Sequence, residues 1–197
     1  MIAKLKPKKC RICKDEYQPA NTLQRVCSPK CAIDLAAQDR AKKEREAEKH
    51  KRAQIRKAKE RIKTRGQWLK EAQQAFNRFI RERDHGKPCI SCGVLEVDMA
   101  DSLTGGAFDC GHYRSTGSAP ELRFEETNAH GQCKRCNRNL SGNVVMYRVS
   151  LVQRIGQKAV DWIEGPHPER KYTICELKEI KAKYNKMAND LRRKRLA

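Results

Sequence analysis

The central part of this chain opens with Pro88-Cys89-Ile90-Ser91-Cys92-Gly93, and the fold expected there follows from its cysteines. Its two cysteines are separated by two residues, and the same spacing recurs in Cys133-Lys-Arg-Cys136. Two intervening residues let both thiolates of a pair reach one tetrahedral Zn²⁺ at about 2.3 Å, and two pairs complete a structural zinc site. We therefore predict a zinc-bound module over residues 87–142.

A second set of four cysteines lies near the N-terminus, where Cys10-x-x-Cys13 is followed by Cys27-x-x-x-Cys31. The first residues lack the apolar segment of a signal peptide, and no apolar run approaches the ~20 residues that cross a bilayer. The sequence thus predicts a cytoplasmic protein without membrane contact, in which reduced thiols bind metal instead of forming disulfides. We expect two structural zinc ions, each supplying folding energy that a small core cannot.

The charge of the chain indicates a polyanionic partner. Of its 197 residues, 38% are hydrophobic and 35% charged, which argues against one large core, and the formal net charge is +20. Residues 86–170 hold ten basic and ten acidic side chains, whereas residues 1–85 hold 25 and 11, and residues 171–197 hold 9 and 3. A neutral centre between basic flanks is typical of a nucleic-acid-binding protein. The alternative is a solvated, lysine-rich surface without a partner.

Two helices are predicted before the central module. From Ile33 to about Lys63 the sequence has no Gly or Pro and few apolar residues. This pattern favours a solvated basic helix that lies along DNA phosphates over a coiled coil. Gly66 ends the pattern, and a helix with one apolar face follows from about Gln67 to Arg83. We expect this second helix to pack on the central module.

Further elements follow from the first cysteine pair onward. The pattern predicts a strand over 108–113, helices over 144–155 and 159–163, and a last helix that opens with the capping box Thr173-Ile-Cys-Glu176. The last helix ends in a basic tail. The side chains expected to contact DNA phosphates on the long basic helix and in the tail are Lys42, Lys43, Arg45, Arg52, Arg56, Lys57, Arg192, Arg193, Lys194 and Arg195.

The order of polar residues in the central module resembles that of the His-Asn-His and His-Asn-Asn nucleases. A strand carries His112, a loop leads to Asn128, and Asn137 directly follows the second cysteine pair. The resemblance implies a ββα-metal module of the HNH or endonuclease VII-like type. It also implies that His112 is the general base, that Asn128 fixes the loop carrying it, and that Asn137 helps hold a catalytic Mg²⁺ or Mn²⁺.

The likeness extends further, to the phage lambda NinG (Rap) recombination protein family. It rests on Asp109-Cys-Gly-His-Tyr-Arg114, Leu122-Arg-Phe, Asn128-Ala-His-Gly-Gln-Cys133 and Ser141-Gly-Asn, and it covers nearly the whole chain. The resemblance implies a structure-specific endonuclease that acts on branched double-stranded DNA, including Holliday junctions and D-loops, in the host cytoplasm. It further implies phage or host recombination proteins as partners.

Symmetric cutting of a junction needs two active sites, so we expect a homodimer. The apolar stripes at 68–80 and 144–155 and the long basic helix are the candidate interfaces.

One position departs from the nuclease pattern. Typical members place a metal-binding Asp or His directly before the base, where this chain has Gly111. Because side chains alternate along a strand, Asp109 and Gly111 point to one face, and His112 points to the other. We expect Asp109 to replace the missing metal ligand, together with Asn137. The alternative is that Gly111 leaves room for the phosphate.

The sequence predicts alternative roles for two further side chains, Arg114 and His130. Arg114 is predicted either to hold a phosphate oxygen or to be an ordinary surface residue. His130 is predicted to contact the metal, the phosphate or the zinc sulfurs.

The sequence as a whole predicts an α+β protein with long helical arms. Its expected segments are a zinc module over 1–35, a long basic helix over 36–66, an amphipathic helix over 67–86, the zinc nuclease module over 87–142, and C-terminal helices over 143–197. The rival hypothesis is a non-catalytic zinc DNA-binding protein that recruits recombination or transcription partners. His112, Asp109 and Asn137 discriminate between the two, since a pure binder has no need of them.

Overall fold

A computed structural model of the protein describes residues 5–95 and 108–197. The chain forms two compact units, one ending at Lys63 and one running from Thr64 to Ala197. The fold is a mixture of helix and strand in which helix dominates, which confirms the predicted α+β class at that level. Within the described ranges, no helix combines the length and apolar character required to span a membrane.

The first unit consists of a small hairpin and one long helix. Strands β1 (Lys8–Lys9) and β2 (Glu16–Tyr17) pair antiparallel. Helix α1 spans Pro29–Arg61 and begins at a cap in which the Ser28 hydroxyl accepts a hydrogen bond from the backbone N–H of Cys31 (3.3 Å). The only buried residue of α1 is Cys31. The predicted solvated basic helix is therefore present, and the expected boundary at 35/36 falls inside it.

The second unit starts with helix α2 (Arg65–Arg83), which supplies most of one core. Thr64 and Gln67 form a capping box at the start of the helix. Gly66 therefore lies in the first turn of α2, whereas the sequence predicted a start after it, at about Gln67. The buried side chains of α2 follow helical spacing as predicted: Trp68, Ala72, Ala75, Phe76, Phe79 and Ile80. The apolar stripe at 68–80 is thus core and cannot serve as a dimer interface.

A two-stranded hairpin lies against α2. Strand β3 (Phe108–His112) pairs antiparallel with β4 (Ala129–Cys133), so that Asp109 lies opposite Gln132, Gly111 opposite His130, and His112 opposite Ala129. Cross-strand partners share a face of the sheet. Asp109 and His112 therefore lie on opposite faces of the hairpin.

Among the described residues of the second unit, three further α-helices follow the hairpin: α3 (Val144–Ile155), α4 (Gln157–Glu164) and α5 (Ile174–Leu196). Helix α5 opens with the predicted capping box of Thr173 and Glu176. It packs along α2, with Lys181 contacting Glu71, Asn189 contacting Arg78 and Arg195 contacting Glu82. Both residue numbers rise together in these contacts, so the two helices run parallel.

The hairpin is covered on both faces. One core joins α2 and α5 to Cys110 and Ala129 of the hairpin. On the other face Tyr147 of α3 contacts His130, and a second core joins α3 and α4 to Ile90 of the first cysteine pair. The segments expected over 67–86, 87–142 and 143–197 therefore form one unit, and α5 is part of its core instead of a separate arm.

Candidate functional site

The four cysteines of the central module converge on one point. The sulfurs of Cys89, Cys92, Cys133 and Cys136 all lie within 4.8 Å of one another, and those of Cys92 and Cys133 are 3.7 Å apart. A tetrahedral zinc ion with bonds of about 2.3 Å requires sulfurs about 3.8 Å apart. The donor set and its spacing therefore fit zinc, and the predicted grouping is confirmed.

Local backbone geometry brings these cysteines together. Gly93 has φ +74°, a value that favours glycine, and its N–H donates to the Cys89 carbonyl (2.9 Å) to close the first cysteine loop. Cys133 ends β4, and Cys136 lies in the π-helical turn Arg135–Asn139. The backbone N–H of Cys133 donates to the Cys89 sulfur (3.3 Å), which ties the two cysteine pairs together.

The N-terminal cysteines form a second cluster of the same kind. The sulfurs of Cys10, Cys13, Cys27 and Cys31 lie within 4.8 Å of one another, with Cys13 and Cys27 3.4 Å apart. Lys14 follows the first pair with φ 68°, and across this turn the Cys10 N–H donates to the Asp15 carbonyl (2.8 Å). All ten cysteines are free of disulfides. The chain thus has two four-cysteine sites that can hold zinc.

Asp109 and Asn137, the predicted ligands of a catalytic metal, lie side by side. The Asn137 amide nitrogen donates to Asp109 Oδ2 (3.3 Å), which confirms that the two groups are neighbours. Arg138, which the sequence analysis did not single out, forms a two-bond ion pair with the same carboxylate, at 2.7 and 3.0 Å. The carboxylate raises the pKa of Arg138. A divalent ion at Asp109 would take the place of this guanidinium.

The space beside Gly111 is occupied by Gln132. A Cβ on Gly111 would lie 2.8 Å from Gln132 Cβ, and closer still to its Oε1. Gln132 is fully buried, and its Nε2 donates to the Ser91 hydroxyl (2.7 Å) and the Gly142 carbonyl (2.6 Å). The alternative in which Gly111 leaves room for a phosphate is therefore wrong in this conformation. The sequence held one indication of a structural role for Gln132, namely that this polar residue directly precedes the zinc-site cysteine Cys133.

The neighbour of the His130 ring is Tyr147 of α3. The ring is 4% exposed, and its Nδ1 lies 3.2 Å from the Tyr147 hydroxyl, which in turn donates to the Gly111 carbonyl (3.0 Å). Burial lowers the pKa of His130 to about 3, so the ring is neutral. Tyr147 went unnoticed in the sequence because it reads as one apolar position of α3.

His112, the predicted base, faces α2. Its ring centroid is 5.8 Å from that of Phe76, and its Nε2 lies 3.1 Å from the Arg123 carbonyl oxygen. Burial lowers the pKa of His112, which keeps the imidazole neutral near pH 7. The structure therefore brings Asp109 and Asn137 together but leaves His112 on the opposite face of the hairpin.

Asn128 is positioned as the loop-fixing residue that the resemblance implies. Its Oδ1 accepts from the Arg114 N–H (2.8 Å), and its Nδ2 donates to the carbonyls of Arg114 (3.0 Å) and Leu122 (3.3 Å). The side chain is fully buried. These three bonds close the loop between β3 and β4 at its base.

A buried ion pair that the sequence analysis missed joins α2 to β4. Asp84, 3% exposed, accepts hydrogen bonds from the Gly131 N–H (2.9 Å) and from Arg83, whose guanidinium also donates to the Ala129 carbonyl (2.7 Å). Burial alone would raise the pKa of Asp84, but the bonds and charge of Arg83 hold it well below its usual range. The pair fixes the strand that carries His130 and Gln132.

The predicted DNA-contacting residues divide into two groups. The Arg114 guanidinium donates to the carbonyls of Ile163, Glu164 and Gly165 at the end of α4 (3.3–3.4 Å), so it stabilises a helix end instead of being free for a phosphate. Ion pairs within the chain hold Arg52, Arg193 and Arg195. The other side chains of this set lie exposed on α1 and at the end of α5: Lys42, Lys43, Arg45, Arg56, Lys57, Arg192 and Lys194.

These features define a basic protein of mixed helix and strand with two four-cysteine sites that can hold zinc. The chain belongs to a family of bacteriophage proteins described as Bacteriophage Lambda NinG protein, whose profile matches residues 2–194. It is 45% identical to Protein ninG of Escherichia phage lambda over 210 residues, which cover 99% of this chain and 98% of that protein.

Other relatives match to a similar extent. Protein ninG of Escherichia phage 933W is 45% identical, over 98% of both chains. Protein ninG of Salmonella phage P22 is 44% identical, over 97% of both chains. No solved structure matches the chain.

Proposed function

We propose that this protein is a divalent-metal-dependent endonuclease that hydrolyses phosphodiesters in branched recombination intermediates such as Holliday junctions and D-loops. The observation that carries the proposal is the pairing of the Asp109 carboxylate with the Asn137 amide beside the second cysteine cluster (3.3 Å). Carboxylate and amide oxygens are ligands that Mg²⁺ and Mn²⁺ accept, with water completing the octahedron. Such an ion supplies positive charge against the charge that develops on the phosphate.

Charge supports DNA as the partner. The net charge is +20, and α1 presents its basic side chains to solvent with only Cys31 buried. Exposed Lys and Arg neutralise phosphates whatever the base sequence, so contact with the DNA backbone is favoured over base readout.

The proposed general base is His112. Its lowered pKa keeps the imidazole neutral and able to take a proton from water near pH 7. The ring lies on the opposite face from Asp109, so the proposal requires the end of β3 to turn the ring towards the Asp109–Asn137 pair when DNA binds. His130 shares the face of Asp109 and is the competing candidate.

Cleavage of a labelled four-way junction, with a matched linear duplex as the control substrate, tests the proposal. We expect Mg²⁺-dependent cutting of the junction alone, and we expect His112→Ala to slow it by about 10²–10⁴-fold without changing zinc content or binding. Asp109→Ala and Asn137→Ala lose the metal, so raised Mn²⁺ partly restores them but not His112→Ala. His50→Ala, at an exposed position of α1, is the matched control variant and is expected to cut like the wild type.

Two results would change the assignment. If His112→Ala cuts at the wild-type rate and His130→Ala does not cut, then His130, on the face of Asp109, is the general base. If no divalent ion supports cutting of any DNA, the nuclease proposal fails.

A specific observation favours the second candidate function, a non-catalytic zinc protein that binds DNA and recruits recombination or transcription proteins. Arg138 already neutralises Asp109, and His112 lies on the other face. The cutting assay separates the candidates, because a recruiter binds the junction without hydrolysing it.

We further propose that the protein acts as a homodimer, since paired cuts need two sites. Of the two apolar stripes considered, only that on α3 exposes large apolar side chains, among them Val145 (76%), Met146 and Val149. Sedimentation equilibrium of the wild type and of Val145→Glu tests this: dissociation in the variant alone supports it, and a monomeric wild type overturns it.

A further inference from the structure

A basic cavity on the second unit has no place in the function described so far. Its volume is about 430 Å³, within the range of small-ligand sites. It lies between the start of α2, the loop that precedes β4 and the segment before α5. Leu69, Pro120 and Tyr172 form its apolar lining. The charged side chains around it are Arg65, Arg123, Arg170, Lys171, Glu121 and Glu169.

The charge of this lining is positive, with four cations against two carboxylates. Arg170 is engaged by Glu176 at 3.4 Å and lies over the Tyr172 ring. Arg65 and Lys171 line the cavity and are exposed to solvent. They are available to an anion that enters it.

Arg123 is the fixed cation of the cavity. Its guanidinium is partly buried and donates to Gln73 Oε1 (3.1 Å) and to the Thr116 carbonyl (2.9 Å). Both acceptors are neutral, so they orient the guanidinium without cancelling its charge. A partly desolvated guanidinium held in place is a strong partner for a phosphate group, to which it can donate two parallel hydrogen bonds.

The cavity adjoins the candidate base. The carbonyl oxygen of Arg123 lies 3.1 Å from His112 Nε2, so one residue contributes its side chain to the cavity and its backbone to the histidine. A DNA strand whose phosphate is bound by Arg123 would therefore pass on the side of the hairpin that carries His112.

We infer that this cavity is a phosphate subsite for one strand of a branched DNA. Arg65, Arg123 and Lys171 bind a phosphate group, and the apolar lining accepts the sugar or base next to it. The inference rests on the proposed function in that it takes DNA as the ligand. The phosphate is either a monoester at a 5′ end or a diester within the strand.

The test is the charge-reversal pair Arg65→Glu/Lys171→Glu in the full-length, zinc-loaded protein. The matched control is Lys158→Glu/Lys186→Glu, at two exposed positions of the same unit outside the cavity, with the same change in net charge. Glutamate in the first turn of α2 is favourable to that helix, so no loss of fold is expected. Circular dichroism and zinc content verify this.

Affinity is measured by fluorescence anisotropy without added Mg²⁺, on splayed-arm DNA with a 5′-phosphate or a 5′-hydroxyl at the branch. We expect the cavity pair to bind at least tenfold more weakly than the control pair. We also expect its slope of log affinity against log salt to be shallower by about 0.9, because the one phosphate bound in the cavity is no longer neutralised.

The two substrates identify the source of the phosphate. Preference for the 5′-phosphate in the wild type, lost in the cavity pair, assigns a strand end. Equal binding of both DNAs, weakened in the cavity pair, assigns an internal diester. Equal affinity of the cavity and control pairs overturns the inference while leaving DNA binding intact, whereas a wild type that binds no DNA overturns both. Failure to cut bears only on the nuclease proposal.

Discussion

Replacing Gly111 by alanine tests whether Gln132 fills the space that a larger residue would need. The new Cβ would lie 2.8 Å from Gln132 Cβ and 2.9 Å from its Cδ, distances that packed atoms do not adopt. Gln132 Cβ is fixed to the backbone of β4 and cannot move by side-chain rotation, so β3 and β4 must shift apart and displace the Gln132 side chain. The shift breaks its hydrogen bonds to Ser91 (2.7 Å) and Gly142 (2.6 Å).

The cost can be worked out from these contacts. Overpacking in a buried site costs about 1–3 kcal/mol, and each lost hydrogen bond costs about 1 kcal/mol, more if a buried group is left unsatisfied. The two costs do not add fully, because a shift that relieves the clash is the same shift that breaks the hydrogen bonds. We therefore expect Gly111→Ala to lower the free energy of unfolding by about 2–4 kcal/mol.

The assay is urea unfolding of the zinc-loaded chain, followed by tryptophan fluorescence. The chain has two tryptophans, and both Trp68 and Trp162 belong to the second unit, so the signal reports on that unit alone. Gly117→Ala is the control, because the nearest atom to its Cβ would be 3.8 Å away. We expect that variant to change stability by less than about 0.5 kcal/mol, as surface substitutions do.

A double-mutant cycle decides the cause. In a Gln132→Gly background both Gln132 Cβ and Gln132 Cδ are gone, so Gly111→Ala should then cost less than about 1 kcal/mol and the two substitutions should be strongly coupled. The reasoning is refuted if Gly111→Ala is nearly neutral in the wild type, or if it costs the same in both backgrounds.

Three further predictions concern the zinc content of the chain and the stability of the second unit. Elemental analysis should give two zinc ions per chain, and Cys89→Ser should lower this to one and unfold the second unit; one ion or none in the wild type contradicts the prediction. The pKa of His130 is about 3 in the folded state, against about 6.5 when unfolded. The contribution of this group to the free energy of unfolding is therefore full above about pH 6.5 and falls by up to about 1.4 kcal/mol per pH unit as the pH drops towards 3. In urea titrations at several pH values, His130→Gln should remove that pH dependence. An unchanged pH dependence argues against a buried neutral ring. Asp84→Asn should lower the free energy of unfolding by about 2–3 kcal/mol, less than the 3–5 of a fully buried pair, because Arg83 keeps 22% exposure; a loss below about 0.5 kcal/mol would mean that the pair does not hold β4.

Local signals in the sequence predicted the elements and the metal-binding cysteines well. The cysteine spacing gave both clusters, the capping box of Thr173 gave the start of α5, and the apolar run gave α3 at Val144–Ile155. Each of these depends on residues close together in the chain or on a fixed metal geometry. Gly66 was misread because Thr64 and Gln67 cap α2 and absorb the cost of a glycine in its first turn.

Pairings between distant segments could not be predicted. The parallel contact of α2 with α5 joins residues more than a hundred positions apart, as in the hydrogen bond between Arg78 and Asn189. Strand alternation predicted that Asp109 and His112 face opposite ways. What covers each face, Tyr147 on one side and Phe76 on the other, depends on helix packing that the local pattern does not contain.

The parallel contact of α2 and α5 also sets the order in which the chain can fold as it is made. α2 is the first element of its unit and α5 is the last, ending at Leu196. Until Tyr184 has left the ribosome, Phe76 and Phe79 lack the aromatic ring against which they pack. The first unit has no such dependence, because its four cysteines are complete by Cys31. During synthesis the N-terminal cluster can therefore take up its metal while the second unit is still waiting for its last helix.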